Sequence, residues 1–180
     1  MQSHHQPILL LHSLGEGHPG ITTAIAAYCS EAASLCLEDQ GHLPGVKMEV
    51  AGAHTLSCVL QWETGDARKV VSWDKDDATE CGASVIAILV VDHLTGLKVI
   101  ERAQKGDRVD YWLGKADNDD EPPFLREGRL EVSGIRRGDE SIVRNRVRSK
   151  VQRLKLSSSN IKAFVVVVEF GTPMSQVQES

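Results

Sequence analysis

The sequence is poor in the features that announce a function. Its four cysteines, Cys29, Cys36, Cys58 and Cys81, form no CxxC pair and no metal-type spacing. Each sits in an apolar run, so buried free thiols of a reducing compartment are expected rather than a disulfide framework or a zinc site. No apolar run reaches the roughly 20 residues of a membrane span, and PILLLH near the start is far too short, so neither a span nor a signal peptide is expected and a cytoplasmic location is. Aromatic residues are only 4% of the chain. The glycine-containing stretch GEGHPG is followed by no P-loop lysine, which removes the simplest nucleotide site. His4, His5, His12 and His18 are irregularly spaced in a terminal segment and make a weak metal motif. There is no internal repeat, and no linker long enough to split the chain.

What is present describes a folded α/β domain. The chain has 180 residues, 41% of them apolar and 25% charged, enough for one core of ordinary size. Net charge is −5, so any attraction to nucleic acid must come from a local patch. Ile21 to about Asp39 has apolar residues at three- and four-residue steps and reads as a helix, stopped by Gly41 and Pro44. Segments 46–50 (VKMEV) and 56–62 (LSCVLQW) alternate as a hairpin, and 69–73 reads as a third strand or an extended lead-in. Asp77 and Glu80 fit a capping box that opens an apolar helix ending at Gly96. A helix apolar on every side must be covered on both, by a sheet and by the N-terminal helix. Three short strands follow, at 97–102, 108–113 and 129–135. A helix from about Asp139 to Leu156 buries Val143, Val147, Val151 and Leu154. The run AFVVVVEF, 163–170, is a strand buried on both faces. Residues 171–180 read as a loose tail, and 114–128 as an acidic surface loop with Asp117, Asp119, Asp120, Glu121, Pro122 and Pro123.

Two carboxylates stand out. Asp110 in VDYWL and Glu131 in RLEVSG lie inside β-prone, apolar sequence, where a charge is costly unless paired, metal-bound or at a strand end. On neighbouring strands they can meet at one place. Each has a plainer reading: Asp110 as a cross-strand partner of Arg108, Arg129 or Lys105, and Glu131 as a solvent-facing residue. Segment 136–155 carries eight basic residues against Asp139 and Glu140, a net of +6 in an acidic chain. Arg136, Arg137, Arg144, Arg148 and Lys150 are its candidate contacts to phosphate, with an acidic protein partner as the rival reading. Trp112 and Tyr111, beside Asp110, are either packing residues or base-stacking ones.

The order helix, three strands, helix, strand over 77–170, about half the chain, resembles the PD-(D/E)XK, restriction-endonuclease-like superfamily. Asp110 stands at the position of the family's strand aspartate, Glu131-Val132-Ser133 at its E-x-K run, and Glu80 at the acidic residue of the first core helix. The resemblance implies a mixed central sheet flanked by helices, here with an N-terminal helix and hairpin over 1–75, a core over 76–170 and a tail. It implies Mg²⁺- or Mn²⁺-dependent phosphodiester hydrolysis of DNA or RNA, as in prokaryotic defence or mobile-element systems. Asp110, Glu131 and the Val132 carbonyl would then hold the metal, which prefers oxygen donors and activates water. Ser133 departs from the family's lysine, and Lys105 is the candidate replacement; Glu101 is a looser addition to the site. The departure leaves a second reading beside the nuclease: a catalytically inactive relative that binds nucleic acid, or an acidic protein subunit, through the basic helix. A homodimer is compatible with either.

Overall fold

The apolar run at 163–170 becomes the middle of the molecule. In a computed structural model that describes residues 6–116, 124–157 and 159–180, strand β7 (Ala163–Glu169) is buried along its whole length. Four valines in a row suit a central strand covered on both faces, because β-branched side chains pack well on a pleated surface. One continuous eight-stranded sheet is built around it from β1 (Ile8–Leu10), β2 (Val46–Gly52), β3 (Leu56–Gln61), β4 (Lys98–Arg102), β5 (Tyr111–Gly114), β6 (Gly128–Ile135) and β8 (Met174–Glu179). The spatial order is β1-β3-β2-β8-β7-β6-β5-β4. Strands β4, β5 and β6 form an antiparallel meander, and β6 runs parallel to β7. The fold is therefore α/β with a mixed sheet.

The helices divide between the two faces. Helix α3 (Lys75–Thr95) lies on one face of β6 and β7, and α1 (Thr23–Asp39) covers its other side. By length and composition α3 could cross a membrane, but its apolar residues are spent on the sheet and on α1. Gly96 caps it in the left-handed conformation at φ 72°, which glycine adopts without steric penalty. Helix α4 (Glu140–Lys155) covers the opposite face of the sheet. Val143, Val147 and Leu154 lie against Ala163, Val165 and Val167, and Val151 packs on the same cluster half-buried. The helical spacing of those four residues decides which face turns inward.

The structure corrects several sequence expectations. Residues 174–179 are not a tail but strand β8, which pairs antiparallel with β7 and parallel with β2. The N-terminal hairpin thereby joins the main sheet instead of leaning on it. Residues 69–72 form a short helix, α2, not a strand, and Lys69 is drawn inside to pair with Glu38 at 2.7 Å and donate to Ser34 at 3.0 Å. Helix α3 starts earlier than the Asp77–Glu80 box suggests: Asp74 is the cap, accepting from the amides of Asp76 and Asp77. Strand β5 begins at Tyr111 because Arg108 has φ 60°, a left-handed turn that breaks extended pairing. Segment β1, which the sequence does not mark as a strand, pairs parallel with β3. The acidic residues 117–123, His4 and His5 lie outside the described residues.

Candidate functional site

Strands β5 and β6 part at Asp110. The ladder runs from Leu113↔Gly128 to Tyr111↔Leu130 and stops, while β6 continues to Ile135 along β7. The Asp110 amide still donates to the Leu130 carbonyl, at 2.9 Å. Two residues further along β6, its side chain replaces the missing backbone partner: the Val132 amide donates to Asp110 Oδ2 at 2.8 Å. The other oxygen, Oδ1, lies 3.7 Å from the Arg102 guanidinium. Arg102, and not Arg108, Arg129 or Lys105, is the cation facing Asp110. It also stacks over Tyr111, 4.5 Å from the ring centre. Lys105 is exposed in the turn before β5.

Asp110, Arg102, Glu80 and Val132 line an open cavity of about 620 Å³ between α1, α3 and the sheet. Freed from the cap, Glu80 accepts from the Gly134 amide at 3.3 Å. A helix carboxylate and a strand carboxylate thus each satisfy an amide of β6.

Glu131 looks elsewhere. Residues of a strand alternate between faces, and Leu130 and Val132 belong to the core on the α3 side. Glu131 and Ser133 therefore turn toward α4. Glu131 is 8% exposed and accepts from Lys150 Nζ at 2.6 Å. Ser133 is 1% exposed and accepts from Arg146 at 2.8 Å. The spacings match: four residues of helix rise about 6 Å, and two residues of strand about 6.6 Å. Two rungs thus join antiparallel elements. Burial pushes the Glu131 carboxyl above its usual range; the Lys150 hydrogen bond pulls it back, and the Asp110 charge pushes it further up. Glu131 faces a helix, not solvent.

The two carboxylates are near enough to repel, but they take different partners. For a hard divalent cation the donor set does not fit as it stands. One Asp110 oxygen is engaged by an amide, the Glu131 carboxylate is held by an ammonium, and Glu80 is turned to Gly134. Among the described residues no three His, Cys, Asp or Glu side chains cluster as a metal site. His18 is buried, accepting from the Val99 amide and pairing with Asp92. Glu101 is held by Arg126 at 2.7 Å at the sheet edge.

The basic segment is sorted by the same geometry. Arg136 is half-buried and already engaged, by Asp39 at 2.7 Å and by the Lys75 carbonyl. Lys150 and Arg146 serve β6. Arg137 is exposed. Arg144, Arg148 and Lys155 line a shallow groove with Gln152 of α4 and Gln176 and Gln178 of β8. Arg144 shares its charge with Glu140, 3.4 Å away. Arg148, Arg153 and Lys155 form no salt bridge among the described residues. Sequence reasoning missed Lys155, Gln176 and Gln178 as a unit because β8 was read as a tail. Trp112 is a packing residue, 7% exposed under the Arg126 guanidinium. Compared with family models, with curated proteins and with solved structures, the chain finds no match in any of the three.

Proposed function

We propose that this protein is a nuclease-like domain that binds nucleic acid along α4 and β8 without cutting it. The observation that carries the reading is the groove lined by Arg144, Arg148 and Lys155, with three glutamine side chains between and beside them. Cations one to three turns apart, interleaved with amide donors, suit the oxygens of a phosphate backbone. The chain is acidic overall, so this local stripe is the place where a polyanion is favoured. The element order of α3, β4, β5, β6, α4 and β7, with Asp110 immediately before the second strand and Glu131 on the third, supports a restriction-endonuclease-like ancestry. The missing lysine at Ser133, and the commitment of Glu131 to Lys150, support loss of catalysis.

The test is an incubation of the full chain with labelled single-stranded DNA, duplex DNA and RNA, with Mg²⁺ or Mn²⁺ and with chelator. Binding that is the same in metal and in chelator, with no cleavage, is expected. Metal-dependent cutting that disappears in Asp110→Ala and Glu131→Ala would restore the nuclease reading. Absence of binding to all three would leave the groove to an acidic protein partner and overturn the proposal.

A further inference from the structure

Cys29 of α1 and Cys81 of α3 face each other with their sulfurs 2.8 Å apart. A disulfide bond is about 2.05 Å long, so a shift of under about 1 Å would bring them to bonding distance. The backbones are held close right beside them. Gly82 follows Cys81, and Ala33 lies one turn after Cys29. A Cβ on Gly82 would sit 2.8 Å from the Ala33 Cα, so only glycine permits this helix approach. Both thiols also line the cavity that holds Arg102 and Asp110, which gives a small reagent a route to them. Cys36 and Cys58, by contrast, are 0% exposed. The two facing thiols are unequal. The Cys29 thiol is pulled down by the hydrogen bond from Cys81 and by the Arg102 charge, against its burial, while that same bond and burial push Cys81 up. A lowered thiol beside a cation is the attacking member of such a pair.

We propose that Cys29 and Cys81 form a reversible dithiol–disulfide site on the cavity wall, oxidised by a low-molecular-weight disulfide. The Cys29 thiolate attacks one sulfur of the small disulfide. Its S–S bond breaks, and the departing thiolate takes a proton from water. Cys81 then gives up its proton and attacks Cys29 Sγ in the mixed disulfide, releasing the second small thiolate, which is protonated in turn. Two protein thiols and one small disulfide become one protein disulfide and two small thiols. The two electrons pass to the small molecule. The new bond ties α1 to α3 across 52 residues of chain, so the oxidised form is the more stable one.

The experiment is a titration of the reduced, folded full chain with oxidised glutathione, followed by alkylation, intact mass and peptide mapping. The expected result is a loss of two hydrogens, one Cys29–Cys81 linked peptide, alkylated Cys36 and Cys58, and a Tm higher by about 5–10 °C. Cys36→Ser behaves as the parent, and Cys81→Ser stops with one glutathione on Cys29. Free Cys29 and Cys81 after the titration, or a bond that involves Cys36 or Cys58, would overturn the proposal. So would Cys81→Ser that carries no adduct. None of these readouts depends on nucleic-acid binding.

Discussion

Replacing Lys150 with methionine is expected to destabilise the protein by about 3–5 kcal/mol, the usual result of stranding one partner of a buried ion pair. Glu131 is 8% exposed, and the Lys150 side chain 19%. The aliphatic part of lysine is retained by methionine, so the loss is electrostatic. The Glu131→Gln, Lys150→Met double variant is expected to regain most of the stability, because no charge is then left buried. The pH profile carries its own sign. Glu131 is raised in the folded protein, chiefly by burial, so the folded state holds its proton to higher pH than the unfolded one. Its contribution therefore falls as pH climbs from the ordinary carboxylate range through the raised one. Without Lys150 that fall deepens and extends upward in pH. Urea melts across the acidic and neutral range measure this. A loss below about 0.5 kcal/mol, as for an exposed pair, would show that the rung is not structural.

Glu169→Ala is the second large effect. Glu169 is 1% exposed at the end of β7. Its Oε1 accepts from the Gly138 amide at 3.0 Å and from the Gly171 amide at 2.7 Å. Its Oε2 accepts from the Thr172 amide at 2.8 Å. One carboxylate thus fixes both the entry to α4 and the turn into β8. Hydrogen bonds to a charged group are worth about 1.5–3 kcal/mol each, and the three act as one unit. A loss of about 3–5 kcal/mol is expected, with weakened protection of the β8 amides in hydrogen exchange. Glu169→Gln is expected to fall between, since its amide group can accept through only one atom. Stability in Glu169→Ala equal to the parent would refute the assignment.

The regular elements were legible where one physical signal dominated. The stripe of Val143, Val147 and Leu154, the run 163–170 and the glycine at 96 each point one way, and the structure follows them. Two errors share a cause: local sequence cannot weigh competing partners. Asp74 and Asp77 are equally good caps, and which one serves depends on where α3 meets β6. Strand β8 buries only Ser175 and Val177, too short a pattern to distinguish from a polar terminus; its pairing with β7 and β2 makes it a strand. The candidate site was half legible. Asp110 was picked out by its cost in an apolar strand, and the structure places it where two strands part. The direction of Glu131 was not legible, because a strand's alternation fixes relative faces and not which helix each face meets. The basic helix was visible as a charge excess, but only the fold sorts it into cations bound inside and cations left at the groove.

The most direct measurement is the affinity of the chain for a labelled oligonucleotide over a series of salt concentrations, for the parent and for Arg148→Ala. Three groove cations predict a plot of log affinity against log salt with a slope of about −2 to −3. Arg148→Ala is predicted to weaken binding and to flatten the slope by about 1, with folding unchanged. Affinity that does not vary with salt, or a slope that Arg148→Ala leaves as it was, would contradict the α4 groove as the binding surface.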